Sequence, residues 1–299
     1  MLDLAGLLSW YSANARALPW RGPDYGAWGV LTSEVMLQQT PVARVVPAIS
    51  AWLARWPTPS DLAASSVGDA VRQWGTLGYP RRAVRLHTAA GVIVAAHDGV
   101  VPADVAALEA LPGVGTYTAR AVSAFAYGRR HPVVDVNTRR VIARAVHGRA
   151  QPGPAASADL DAMAVLLPED PAAAVAVNAA MMEVGATVCT ARAPRCSVCP
   201  LRDACRWRAA GYPASEDRRR RPARYEGSDR QARGRILASL RAADDAVPMG
   251  RVLADWPDPD QRSRAIASLL ADGLVEESGT ILRLPGDAQP SGADPVWTP

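Results

Sequence analysis

Four cysteines fall in the spacing Cys189-x6-Cys196-x2-Cys199-x5-Cys205, and the rest of the 299-residue chain has none. With every thiol in one short stretch there is no disulfide framework to fold around, and so tight a cluster in a chain of this size favours a metal centre. Four thiolates complete a closed site, around either a tetrahedral zinc ion or a four-cysteine iron-sulfur cluster. The asymmetric 6-2-5 spacing differs from the paired two-residue spacings of zinc knuckles and favours [4Fe-4S].

The chain leading to this loop reads as helix. Leu4, Leu7, Leu8 and Tyr11 form an apolar stripe at helical spacing, and similar stripes recur through Val35 to Val46, Leu62 to Trp74, Ala83 to Val94 and Val141 to Val146. Short Gly and Pro loops separate them, and no alternating strand pattern of useful length appears before residue 212. With 49% hydrophobic residues the chain can bury a real core, in two domains or one large one. The apolar run Pro171 to Met182 is shorter than the ~18 residues a membrane span needs, so a soluble cytoplasmic protein is expected.

Charge removes several chemistries. The chain carries 33 basic residues against 29 acidic ones, a net charge of +4, and all 33 are arginine. The mild excess leans toward an anionic partner. Without lysine there is no Schiff-base nucleophile, no P-loop of the usual form and no pyridoxal phosphate chemistry.

Beyond the cysteines, residues 213–225 read as an arginine-rich linker, with Arg218, Arg219, Arg220, Arg221 and Arg224 around Pro222. It is either a solvated hinge or a basic arm on phosphate. Ser228 and Gln231 have capping-box spacing before Ile236, Leu237 and Leu240, and Asp258, Pro259 and Gln261 open a second helix that ends at Gly273. Residues 274–284 then read as a hairpin about Ser278-Gly279. Helices followed by a hairpin predict a winged-helix-like module over 226–285, which either meets phosphate through its Arg230, Arg233 and Arg235 face or packs as a cap on the helical core, with a disordered tail over 286–299.

Three features before the cysteines carry chemistry. Leu111-Pro112-Gly113-Val114-Gly115 lies between helical segments, and its glycines permit a turn whose N–H groups face outward at a helix start, a cradle for phosphate. Asp135 follows Val133-Val134 and precedes a helix, a natural N-cap. Glu34 lies inside the apolar stretch Val30 to Leu37, where desolvation favours a carboxyl that keeps its proton near neutrality; an exposed polar face is the competing reading.

Together these residues resemble the MutY-type adenine DNA glycosylases of the helix-hairpin-helix superfamily. Leu18-Pro19-Trp20-Arg21, Ser33-Glu34-Val35-Met36-Leu37-Gln38-Gln39-Thr40, Leu77-Gly78-Tyr79, Leu111 to Gly115, Asp135-x-Asn137 and the four cysteines come in the family's order, over residues 1 to about 210. The resemblance implies a mainly α helix-hairpin-helix glycosylase with a [4Fe-4S] loop over 1–212. It implies a monofunctional enzyme that excises adenine opposite 8-oxoguanine or guanine from double-stranded DNA, acting as a monomer in the cytoplasm at the nucleoid. It assigns Glu34 to protonating adenine, Asp135 to stabilising the sugar cation, and Tyr117 and Asn137 to supporting Asp135. Tyr117 stands where endonuclease III carries its lysine nucleophile. By the same resemblance Leu18, Trp20 and Arg21 form the adenine pocket, Gln39 and Tyr79 wedge into the base stack with Thr40 beside them, and Gly113 and Gly115 meet phosphate.

The chain departs from the family pattern at Pro80, Val136 and Ala179, and its C-terminal segment is shorter than the Nudix-like domain typical of the family. Two other readings stay open on sequence: a thymine-mismatch glycosylase of the same superfamily, and a winged-helix DNA-binding regulator with a redox cluster. The regulator has no use for both Glu34 and Asp135.

Overall fold

The computed structural model describes residues 2–215, 224–243 and 245–287. Arg218, Arg219, Arg220 and Arg221 of the expected linker lie outside these residues, as does most of the expected tail.

Helices dominate up to the linker, in the order α1 (Leu4–Asn14), α2 (Gly26–Leu37), α3 (Val42–Arg55), α4 (Pro59–Ala63), α5 (Val67–Trp74), α6 (Arg81–Ala96), α7 (Val105–Glu109), α8 (Thr116–Tyr127), α9 (Val136–Ala145), α10 (Ser157–Leu166), α11 (Pro171–Thr187) and α12 (Arg206–Ala209). Half of them start where a small polar side chain accepts a backbone N–H that the first turn leaves unpaired. Asp3 accepts from Gly6, Ser66 from Asp69, Asp104 from Ala107 and Asp170 from Ala173. Thr58 and Asp61 close a reciprocal capping box on α4. The helix α2 is different: every residue from Trp28 to Met36 is buried, as in a helix that runs through a core rather than over it.

The chain divides into two compact units. One comprises Met1–Glu34, Pro102–Ala110 and Val114–Arg220. Its core joins α1, α9, α10 and α11 through Leu7, Val141, Ile142, Met163, Val177, Met181 and Val184. Close approach of α11 to α9 depends on Gly185, where a Cβ would stand 2.8 Å from the backbone carbonyl carbon and oxygen of Asn137. The helices α7 and α8 pair across the glycine turn as a helix-hairpin-helix.

The other unit comprises Val35–Val101, Leu111–Gly113 and Arg221–Pro299. In it α4 and α5 pack on α6, and Trp52 meets Trp56 and Trp74 edge to face at 4.6 and 5.6 Å. The C-terminal part runs α13 (Asp229–Ala242), β1 (Val247–Pro248), α14 (Pro259–Ala271), β2 (Glu276–Ser278) and β3 (Ile281–Arg283). The strands form one antiparallel sheet in the order β1-β3-β2, with Leu282 opposite both Val247 and Glu277. Helix, strand, helix and hairpin in this order make a winged-helix-like module.

The segment leaving β3 lies on α5. Gly68 N–H donates to the Pro285 carbonyl at 2.7 Å, and the Arg72 guanidinium grips both carboxylate oxygens of Asp287. A Cβ on Gly68 would stand 2.9 Å from the Pro285 backbone oxygen, so the close approach of this segment favours glycine. Arg241 of α13 donates to the Val71 carbonyl at 3.0 Å. On the same helix Arg233 is paired with Asp272 and Ser268, and Arg235 lies 5.7 Å over Trp256. Two arginines that look free for phosphate in sequence are therefore engaged within the module. Among the described residues no helix is long and apolar enough to cross a membrane.

Candidate active site and metal centre

In the first unit the fold brings Glu34, Tyr117, Asp135 and Asn137 together. Glu34 sits on α2 and is only 5% exposed. Burial raises its carboxyl from 4.5 to about 7; the nearby Asp135 charge acts in the same direction, and a hydrogen bond from Tyr117 opposes both. Tyr117, in the first turn of α8, keeps its phenolic proton because burial, and then the neighbouring Glu34 and Asp135, push it well above its ordinary value. It is therefore a donor to Glu34 across the neutral range.

Asp135 is the N-cap of α9, and its Oδ1 accepts from Thr138 N–H at 2.6 Å. Oδ2 accepts from Asn137 Nδ2 at 2.8 Å. The capping geometry and the clustering with Glu34 coexist, because the cap uses one oxygen and leaves the carboxylate aimed from a helix start that favours negative charge. Asn137 Oδ1 in turn accepts from Arg140 Nη2 at 2.9 Å, and Arg140 Nε donates to the Cys189 carbonyl at 2.6 Å. A hydrogen-bonded path thus runs from Asp135 to the start of the cysteine loop. Fully buried Asn178 holds the segment before Asp135, accepting from Val133 N–H at 2.8 Å and donating to the His131 carbonyl at 2.9 Å.

Leu18, Trp20 and Arg21 lie together on and beside the short 3-10 turn Pro19–Arg21. Arg21 Nη2 pairs with Glu183 Oε2 at 2.7 Å and Arg16 Nε with Glu183 Oε1 at 2.6 Å. Burial of Glu183 works to raise its carboxyl, but the hydrogen bonds from Arg16 and Arg21 outweigh it and hold the group below its ordinary value. Sequence reasoning passed over Glu183, although a lone acid in the apolar run of α11 is a signal. Arg140 and Asn178 were missed as well.

The second unit holds Gln39, Thr40 and Tyr79. Gln39 and Tyr79 are exposed and both have left-handed backbone, with φ of 57° and 48°; Thr40 is buried and its hydroxyl lies 3.3 Å from the Leu77 carbonyl. Gly113 turns the chain at φ 82°. Gly115 is the N-cap of α8, whose first-turn N–H groups no cap side chain occupies.

The four cysteines, all half-buried, line one hollow together with Arg144, Val188 and Trp207. Burial raises the Cys189 thiol and pushes Cys199 up to about 11, so each thiolate requires compensating positive charge. Arg144 supplies some: its Nη1 lies 3.4 Å from Cys189 Sγ and 2.8 Å from the Thr190 carbonyl, and its guanidinium stacks on Trp207 at 4.6 Å. Among the described residues no three thiol, imidazole or carboxyl groups converge on a single-ion position, and four thiols around one hollow are the donor set of a four-cysteine iron-sulfur cluster.

Residues 32–159 match the HhH-GPD superfamily of base excision DNA repair proteins, and residues 189–205 match the iron-sulfur binding domain of endonuclease III. The chain is 56% identical to the adenine DNA glycosylase of Mycolicibacterium smegmatis, over 91% of this chain and 92% of that one. It is 55% identical to the adenine DNA glycosylase of Mycobacterium tuberculosis, over 90% and 88%. A solved thermostable thymine-DNA glycosylase superposes with a TM-score of 0.63 at 25% identity, over 69% of this chain and 95% of that one.

Proposed function

Because this chain belongs to the HhH-GPD superfamily of base excision DNA repair proteins and, within it, to the adenine DNA glycosylases, we propose that it hydrolyses the N-glycosidic bond of adenine mispaired with 8-oxoguanine or guanine. It does so as a monomer on duplex DNA, in the cytoplasm at the nucleoid. The observation that carries this reading is the pairing of a buried carboxyl shifted to about 7 with a second carboxylate held at a helix start.

Adenine leaves poorly as an anion, and its departure turns the sugar into an oxocarbenium-like cation. Glu34 delivers its proton to a ring nitrogen of the base, which takes the bond electrons as neutral adenine. Asp135 faces the cation as an anion, and water adds to the sugar carbon while giving its proton to the Glu34 carboxylate, which completes hydrolysis and restores the acid. Tyr117 orients the Glu34 carboxyl and Asn137 orients Asp135. With no lysine in the chain, no side-chain amine competes with water for the sugar.

The remaining assignments follow the duplex. The adenine must leave the stack to reach Glu34; Leu18, Trp20 and Arg21 receive it, Gln39 and Tyr79 enter the vacated stack beside Thr40, and the α8 start at Gly113 and Gly115 takes a phosphate. The protein is an iron-sulfur protein, with Cys189, Cys196, Cys199 and Cys205 as the ligands. When bound, the [4Fe-4S] cluster supplies a rigid closure of the loop. Single-turnover base release from duplexes carrying A opposite 8-oxoguanine, G, C and T, and T opposite G, tests the reading. Release of adenine opposite 8-oxoguanine and G is expected; preferential release of thymine opposite G would transfer the chain to the mismatch branch of the superfamily.

A further inference from the structure

We propose that Arg82 is the positioning residue for duplex opening, one guanidinium that fastens Gln39 and Tyr79 in the backbone conformation from which both project. This rests on the reading of those two residues as the stack-entering wedge.

Gln39 and Tyr79 are non-glycine residues at φ 57° and 48°, a region that persists for such residues only where the surroundings over-determine it. Arg82, on the first turn of α6, does so for both. Its Nη1 lies 2.8 Å from the Val35 and Met36 carbonyls and 2.7 Å from the Gln38 carbonyl. Nη2 donates to Thr40 Oγ1 and to the Gly78 carbonyl, each at 2.9 Å, and Nε to the Tyr79 carbonyl at 3.4 Å. The residues on either side of Gln39 are held by the same group that holds Gly78 and the Tyr79 backbone. Trp74 completes the clamp, with Nε1 donating to the Gly78 carbonyl at 3.0 Å and its ring 5.0 Å from the guanidinium.

The energetics favour this role over ordinary packing. Arg82 is 6% exposed, and among the described residues no carboxylate pairs with it. A buried cation without an acid is tolerated only when every N–H is satisfied. Here the partners are the last-turn carbonyls of α2, the negative end of a helix dipole, which lack intrahelical donors. Only a planar five-donor fork serves so many carbonyls at once, so lysine is not equivalent.

The test uses the full-length, cluster-loaded protein and two DNAs of one sequence, with the target adenine either stacked opposite 8-oxoguanine or unpaired in a bubble. Arg82→Lys is expected to slow single-turnover release from the stacked site by roughly tenfold to a hundredfold, and to leave release from the bubble close to the parent rate. Equal losses on both substrates, or no loss on either, would overturn the proposal. Visible absorption of the cluster and thermal melting report whether the variant folds. If it does not, Trp74→Phe, which removes the indole donor to the Gly78 carbonyl, must show the same split in smaller measure, and an even loss there overturns the proposal equally. A parent protein that releases adenine from neither DNA would instead refute the proposed function.

Discussion

The Tyr117 hydroxyl donates to the Glu34 carboxyl at a site where burial has already raised that carboxyl to about 7. Two partners that would each be unremarkable on a surface thus set the working range of the acid. In the proposed mechanism Glu34 acts in its protonated form, so the rate of base release should fall as pH rises through about 7. A single-turnover pH profile checks this, and a rate flat from pH 6 to about 8.5 would remove Glu34 from the proton transfer.

The same shift has a stability consequence of defined sign. A carboxyl whose folded pKa lies above its unfolded value stabilises the fold below the unfolded value and loses that contribution as pH rises through the folded one. With a shift from 4.5 to about 7, Glu34→Gln should stabilise the protein by up to ~3 kcal/mol at pH 8.5 and by little at pH 5, while abolishing base release. Melting curves of both proteins at the two pH values decide it.

Asp135→Asn should separate chemistry from binding. Asparagine is as good an N-cap as aspartate, so α9 keeps its start, but the anion that the proposed mechanism sets against the sugar cation is gone. Base release is expected to fall by two to three orders of magnitude or more with duplex affinity retained. Unchanged turnover would sink the mechanism.

Glycine-to-alanine substitutions should have opposite signs at two helical positions. A Cβ at Gly185 meets the Asn137 backbone at 2.8 Å, whereas at Gly91, inside α6, nothing lies within 4 Å. Gly185→Ala should cost ~1–3 kcal/mol and slow base release by displacing Asn137 and Asp135, and Gly91→Ala should stabilise by ~0.5–1 kcal/mol. Denaturant titrations of both variants, with base-release rates alongside, measure the contrast.

Cofactor and nucleophile are checked on one preparation. Anaerobically purified protein should be brown, with about four irons per chain; a colourless protein with a single zinc would contradict the cluster. Borohydride in the presence of substrate should trap no lysine adduct, since the chain has none, and efficient trapping with the N-terminal amine blocked would show a nucleophile that this mechanism lacks.

Helix starts, the cysteine loop and the winged module are legible in the sequence, because each depends on residues within a turn or a short loop of one another. Asp135 illustrates the rule: its cap reaches only to Thr138. Burial of Glu34 was foreseeable from the apolar stretch around it, but the size of its shift was not, since Tyr117 and Asp135 come from other helices. Arg82 and Arg140 were invisible for a related reason. The partners of the two arginines are mostly backbone carbonyls, which every residue possesses and no pattern marks, and those of Arg82 in α2 lie more than 40 residues away in sequence. Arg233 shows the converse, a charge that reads as free for phosphate until folding brings Asp272 against it. The sequence by itself determined the secondary elements, the clustering of the four cysteines and the order of the motifs, because local sterics and spacing decide those. Only the tertiary structure decided which arginines are committed and how far the acid is shifted, because burial and hydrogen-bond partnership are properties of segments that meet only after folding.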